Sequence, residues 1–261
     1  MEYIISRENP VIKETKKLKD KKHREDRKQF FIEGVRFVSE ALESDFEIPL
    51  LFICQDSDIN IENFNIKSNT RVYSLPQKVF KEISFTENPQ GIAAVVNYSS
   101  IKPKGSNGFY ILADRVQDPG NLGTIIRSAH ASGALGTIVT KGTVDVYNDK
   151  TLRSTMGSIF HIPVIIDNDL SFINKLKAQG FKLVVSSLEA ENNFFEEDLR
   201  DNIIIALGNE GAGISDEVSN ISDIKVKIPM PGGAESLNVS AAASIMMFEV
   251  VRQKIIDNKL K

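Results

Sequence analysis

Tryptophan is missing from the 261 residues, and cysteine occurs once, at Cys54. A single thiol excludes an intrachain disulfide framework and any cysteine-built metal site. Cys54 ends the apolar run 50–54 and reads as a buried core thiol. Histidine is almost as scarce: His23, His130 and His161 are scattered and have no carboxylates at metal-ligand spacing, so no metal centre is expected. Long apolar runs are lacking too. None approaches the roughly 20 residues of a spanning helix, and the opening Met1-Glu-Tyr-Ile-Ile-Ser-Arg7 has too short an apolar run for a signal peptide, so a cytoplasmic location is expected. Neither charge sign dominates: 32 Lys and Arg stand against 35 Asp and Glu, a formal net charge of −3. A wholly basic nucleic-acid binder is therefore excluded, and any attraction to phosphate must be local. Neither Gly-x4-Gly-Lys-[Ser/Thr] nor Gly-x-Gly-x2-Gly occurs, which disfavours nucleoside triphosphate and dinucleotide chemistry.

Apolar residues at 41% and charged residues at 26% describe an ordinary globular chain, long enough for two domains. The stretch 99–107, rich in Ser, Lys, Pro and Gly, is the natural linker. It separates an N-terminal domain, 1–98, from a C-terminal domain, 108–261. In the second, short apolar strands at 109–113, 137–140, 162–166, 182–186, 203–207 and 224–228 alternate with helices. One helix carries Leu122, Ile125, Ile126 and Ala129 at i, i+3, i+4, i+7; others are expected near 150–158 and 170–178. Such alternation predicts an α/β fold with a mostly parallel sheet covered on both faces. No internal repeat or low-complexity tract is present.

Three polar, glycine-bearing loops follow strand candidates: 114–121, 208–215 and 229–240. In an open α/β sheet, loops leaving the carboxyl ends of strands gather at one crevice. The last loop, Pro229-Met-Pro-Gly-Gly233, forbids regular helix or strand and then feeds a helix beginning near Ser240, an arrangement suited to an electron-rich ligand. Asn121 reads as an N-cap and Arg127 as a residue about two turns into its helix, at the edge of the apolar stripe. Glu210 lies exposed among glycines; Ser236 and Asn238 are candidate caps of the last helix.

Asn121-x5-Arg127, Gly208-Asn-Glu-Gly-x-Gly213 and Ile228-Pro-Met-x-Gly-x2-Glu-Ser-Leu-Asn-Val239 resemble the three motifs of the SpoU/TrmH family, in order and at its spacing across about 150 residues. Each motif alone is weak; the set is specific. That family belongs to the SPOUT class of S-adenosylmethionine-dependent RNA ribose 2′-O-methyltransferases. The resemblance implies a trefoil-knotted C-terminal domain and a catalytic set of Arg127, Asn121, Glu210, Ser236 and Asn238. It also implies an S-adenosylmethionine site at Leu207, Gly208, Ile228, Met230 and Leu237, largely through backbone groups. Arginine stays protonated in proteins, so Arg127 is expected to grip a phosphate and orient the 2′-hydroxyl, with a phosphate oxygen or Glu210 taking the proton.

Between positions 13 and 28 nine basic side chains face four acidic ones, with a thin apolar stripe of Val11, Ile12, Thr15 and Leu18. A solvated surface helix explains such a run by itself. In an acidic protein with a phosphate-handling site, it is instead expected to bind RNA, through Lys13, Lys17, Lys21 and Arg24. The N-terminal domain also resembles the family's substrate-binding domain, similar to a ribosomal-protein-like RNA-binding fold. The last helix, 240–256, is apolar nearly all round, with Ile245, Met246, Phe248 and Val250 on different faces, and a homodimer through it is expected. Structured ribosomal RNA (23S) is the expected substrate. The alternatives are transfer RNA, or a non-catalytic RNA-binding protein of ribosome assembly, against which the full catalytic set weighs.

Overall fold

The computed structural model describes residues 1–257 and divides into two compact units. The first comprises 1–100 together with 147–160; the second comprises 101–146 and the chain from 161 onward.

The first unit carries a five-stranded sheet in the order β1-β4-β3-β5-β2, built from β1 (Glu2–Tyr3), β2 (Gln29–Glu33), β3 (Leu50–Cys54), β4 (Arg71–Leu75) and β5 (Ile92–Asn97). β4 runs parallel to β1 and β3, while β5 pairs antiparallel with β2 and β3. Helices α1 (Pro10–Lys17), α2 (Lys21–Arg27), α3 (Val35–Glu43) and α4 (Gln77–Ile83) accompany it. The basic run is therefore two short helices, where the sequence predicts one. Asp20 breaks the run as the N-cap of α2, accepting from Lys22 N, because a carboxylate there satisfies an amide that continuing the helix would leave to the chain. α3 buries Val38, Ala41 and Leu42, each large apolar side chain worth about 1.5–3 kcal/mol.

Helix α6 (Asp149–Ser154) is the element expected near 150–158, but it packs in the first unit. Aromatic rings hold it there: Phe160 meets Phe30, Phe37 and Phe46 with centroids 6.3, 5.5 and 5.1 Å apart, and Tyr147 stacks on Tyr98 at 4.0 Å.

The second unit carries a seven-stranded, wholly parallel sheet in the order β10-β12-β9-β11-β6-β7-β8. Its strands are β6 (Phe109–Ala113), β7 (Gly136–Thr140), β8 (Val164–Asp167), β9 (Lys182–Ser186), β10 (Asn192–Asn193), β11 (Ile203–Leu207) and β12 (Ile224–Lys227). The central strands β6 and β11 are buried at every position, as a sheet covered on both faces requires. One face packs Leu112, Ile138, Leu183 and Ile204 against Ile173 and Leu176 of α7 (Ser171–Ala178) and Val218 of α8 (Asp216–Asn220). Two further helices, α5 (Pro119–Ala131) and α9 (Val239–Ile256), pack on each other; α5 also meets β6 and β7, and α9 meets β11. Small residues let α5 and α9 approach closely: Ser128 Oγ and Ser244 Oγ lie 2.9 Å apart, and Ser132 Oγ donates to Met247 Sδ at 3.5 Å.

Candidate active site

Because the sheet is parallel, the loops after β6, β11 and β12 leave at the same edge. The first is pinned from below. Asp114 is buried, and its carboxylate accepts from Thr140 Oγ1 at 2.7 Å and from Ser215 N at 2.6 Å, tying together the ends of β6 and β7 and the start of α8. Arg115 then turns through the left-handed region (φ 55°), with its N–H shared between the hydroxyls of Thr140 and Thr143. Asp118 caps α5 by accepting from Asn121 N, and Pro119 opens the helix. Asn121, expected as the N-cap, instead lies in the first turn, which frees its side-chain amide. Proline at the first helical position explains the earlier start, since its missing N–H is no loss there.

The second loop depends on the absence of a side chain at Gly208. A Cβ there would come closer than the 3.0 Å that real Cβ atoms keep to the backbone of Gly213 and Ile214. Asn209 and Gly213 exchange backbone hydrogen bonds of 2.8 and 2.9 Å. The Asn209 side chain accepts from Gly211 N and Ala212 N, both at 2.9 Å, and donates to Arg115 O at 3.0 Å. This loop presents Glu210 to the start of α5. Its Oε1 accepts from Asn121 Nδ2 at 2.9 Å and Asp118 N at 3.4 Å, and its Oε2 from Gln117 N at 3.3 Å. Burial pushes the Glu210 carboxyl up, but the Asn121 amide and the backbone donors outweigh it and hold the group below the usual carboxylate range.

The third loop ends at Asn238, the N-cap of α9, which accepts from Ser240 N and Ala241 N. Asn238 Nδ2 donates to Asn121 Oδ1 at 3.0 Å, and Ser240 Oγ lies 2.7 Å from Asn238 Oδ1. One hydrogen-bonded chain, Glu210–Asn121–Asn238, thus draws on all three loops.

The other two expected catalytic residues lie outside that chain. Arg127 is exposed on α5, and Ser236 is exposed on the third loop; neither side chain has a hydrogen bond or ion pair among the described residues. Ser240, Gln117, Asp118 and Asn209 also shape the site, although the sequence assigns them no catalytic or binding role. The alternation Ser236, Asn238, Ser240 was the available signal for Ser240. The others contribute backbone or loop-closing hydrogen bonds, which leave no periodic trace.

Among the expected cofactor residues, Leu207 is buried, Gly208, Ile228 and Met230 are half-buried, and Leu237 is exposed. The backbone groups of Gly208, Ile228 and Leu237 have no hydrogen-bond partner among the described residues. Free amides and carbonyls beside apolar side chains match the donor and acceptor edges of an adenosine. Among the described residues no group of three or more His, Cys, Asp and Glu is placed to hold a metal ion. No helix of the described residues is long and apolar enough to cross a membrane.

In the first unit, Lys13, Lys17 and Lys21 are exposed, paired with Glu8 (2.6 Å), Glu14 (2.7 Å) and Glu25 (3.7 Å). Exposed pairs of this kind are worth about 0–1 kcal/mol, so a phosphate can displace them. Arg24 departs from the expectation. It is buried, and its guanidinium donates to Leu18 O at 2.7 Å and Lys19 O at 2.8 Å. It closes the turn between α1 and α2, and the break in the basic run is the reason.

Comparison with known proteins adds to this geometry. The SpoU rRNA Methylase family matches residues 108–248, and the MRM3-like substrate binding domain matches residues 9–94. The chain is 37% identical to the 23S rRNA (guanosine(2553)-2′-O)-methyltransferase RlmP of Bacillus subtilis, over 96% of this chain and 99% of that protein. It is 30% identical to the 23S rRNA (uridine(2479)-2′-O)-methyltransferase of Streptomyces viridochromogenes, over 87% and 84%. The structure of an AdoMet-bound rRNA methyltransferase from Sinorhizobium meliloti superposes with a TM-score of 0.86 at 34% identity, covering 96% and 97% of the two chains.

Proposed function

The chain belongs to the SpoU rRNA methylase family, and from that premise we propose that it transfers a methyl group from S-adenosylmethionine to a ribose 2′-oxygen of 23S ribosomal RNA. The observation that carries this reading is the convergence of all three loops on one polar chain, Glu210–Asn121–Asn238, beside unpartnered backbone groups of Gly208, Ile228 and Leu237. Those backbone groups, flanked by Leu207 and Met230, would hold S-adenosylmethionine, which supplies a methyl group already activated on a sulfonium. What is left to the protein is positioning of the 2′-oxygen and removal of one proton. Arg127, uncommitted to the fold, grips a phosphate of the RNA and orients the hydroxyl; its planar fork suits that task and its permanent charge rules it out as a base. Ser236, also uncommitted, contacts the RNA or the methyl donor.

The finer parts of the reading follow from the same site. Residues 1–98 bind the RNA substrate, with Lys13, Lys17 and Lys21 toward its phosphates, and 108–261 carry the methyl transfer; positions 258–261 lie outside the described residues. The domain is read as carrying the family's trefoil knot, a reading that the packing of α9 on α5 and β11 supports. α9 leaves Ile245 and Phe248 exposed, Phe248 by 49%, on the stripe that includes Ala241, whereas Met246 and Val250 are buried. That stripe is the proposed homodimer contact. A cytoplasmic location follows from the substrate.

The test is direct. The purified chain, tritiated S-adenosylmethionine and an unmodified 23S rRNA transcript should yield one 2′-O-methylated nucleotide, located by mass spectrometry of nuclease fragments. Stable binding of the transcript without methyl transfer would refute the enzyme reading.

A further inference from the structure

The amide chain joining the three loops has a direction, and both of its ends are forced. At one end the ionised Glu210 carboxylate has only lone pairs to offer, so the Asn121 amide must turn its NH2 toward Oε1, 2.9 Å away. At the other end the N–H groups of Ser240 and Ala241, in the first turn of α9, point at the Asn238 side chain from 2.9 and 3.3 Å. A backbone N–H needs an acceptor, so Asn238 must place Oδ1 there and its NH2 outward. The middle link then has no freedom, and Asn238 Nδ2 meets Asn121 Oδ1 at 3.0 Å. Ser240 Oγ, 2.7 Å from Asn238 Oδ1 and 3.4 Å from Asn121 Oδ1, has a single hydrogen, which goes to the nearer Asn238 Oδ1 and reinforces the same direction.

This polarity limits what the cluster can do. Both carboxylate oxygens and both amide oxygens already accept. The donors left open are the second N–H of Asn121 Nδ2 and that of Asn238 Nδ2, which have no partner among the described residues. Resting on the methyltransferase reading of the site, we infer that Asn121 and Asn238 form a matched donor pair for oxygens of the RNA ribose–phosphate, that Glu210 and Ser240 are positioning residues which set the direction of that pair, and that Glu210 is not the base. As the 2′-oxygen bonds to the methyl carbon and the sulfonium C–S bond breaks, the hydroxyl proton leaves to a phosphate oxygen of the RNA and from there to water. The electron pair of the broken bond stays on the sulfur, and the amide N–H groups hold the ribose and phosphate oxygens in line for the transfer. Glu210 turns three of its roughly four lone-pair positions to Gln117 N, Asp118 N and Asn121 Nδ2 at the start of α5. The other ionisable groups on the surrounding loops are Asp114, buried and bonded to Thr140 and Ser215, Arg115, paired with Glu217, the N-cap Asp118, and the exposed Glu235.

Single-turnover methyl transfer to a 23S rRNA transcript separates the alternatives. A positioning role predicts that Glu210→Gln lowers the rate by roughly tenfold, whereas loss of a base costs roughly 10²–10⁴-fold. Ser240→Ala should slow transfer several-fold and Ser240→Thr should restore it, with S-adenosylmethionine affinity equal in all three. A second readout needs no turnover. In two-dimensional NMR, Glu210→Gln should shift the side-chain NH2 resonance of Asn238, although no hydrogen bond joins positions 210 and 238. A rate loss of roughly 10²-fold or more in Glu210→Gln, or an unmoved Asn238 resonance, overturns the inference. If the wild-type chain transfers no methyl group, the functional reading fails, and the resonance shifts still decide whether the amide chain is coupled.

Discussion

Arg127 can be removed without touching the fold, which makes it the sharpest test of the site. Its helix neighbours Leu122, Ile125, Ile126 and Ala129 carry the buried face of α5, while Arg127 points to solvent and is bonded to no described residue. Arg127→Ala therefore deletes no packing and leaves no buried partner orphaned. Alanine also favours the helix by a few tenths of a kcal/mol. The net change in stability should stay within about 0.5 kcal/mol, a Tm shift of about 1–2 °C for a chain of this size. S-adenosylmethionine affinity should be unchanged, because the free backbone groups assigned to it lie on the other two loops. Turnover should fall by roughly 10²–10⁴-fold, the scale of losing one positioned group, equivalent to about 3–5 kcal/mol of transition-state stabilisation. Arg127→Lys should recover little, since an ammonium cannot hold a phosphate and a hydroxyl with one planar fork. Single-turnover rates at saturating RNA, read beside thermal melts, separate chemistry from binding and folding. A near wild-type rate would refute the assignment. A Tm loss of several degrees would refute the claim that the fold does not use this side chain.

Three further expectations follow from other parts of the structure. Gly208→Ala drives a Cβ into the backbone of Gly213 and Ile214, so it should cost at least the 1–3 kcal/mol of ordinary overpacking and abolish S-adenosylmethionine binding by calorimetry; unchanged affinity would remove the second loop from the cofactor site. Charge reversal at Lys13, Lys17 and Lys21 should weaken RNA binding and flatten its salt dependence, leaving S-adenosylmethionine affinity alone; an unchanged salt slope would return α1 and α2 to the role of a solvated surface. Sedimentation at micromolar concentration should give twice the 29.0 kDa chain mass, and Phe248→Asp should halve it, whereas a wild-type monomer would leave the α9 stripe without its proposed partner.

The elements that sequence predicted well are those whose signal is local. β6 and β11 are short apolar runs bounded by turn residues, and both strands form at the expected positions. α5 shows its buried stripe at helical spacing, and Pro229 to Gly233 forbid regular structure by their own backbone chemistry. Where several local signals overlap, the structure departs from the sequence pattern. The basic run hid the break at Asp20, because charge pattern records exposure rather than continuity, and Arg24 was counted with the exposed lysines although it closes that turn. Asn121 looked like a cap because Asp118 and Pro119, three and two residues earlier, carry the same signal.

What the sequence determined by itself is the alternation of strands and helices, the three motif loops and the family they point to, since these rest on residue identity and short spacing. Tertiary structure alone decided that 147–160 packs with the first unit, through rings more than a hundred residues distant in sequence from Phe30, Phe37 and Phe46. It also decided that Glu210, Asn121 and Asn238 form one directed chain while Arg127 and Ser236 stand free of it. Hydrogen bonds between loops 89 and 117 positions apart depend on how a parallel sheet brings strand ends together, and neither composition nor periodicity encodes that distance.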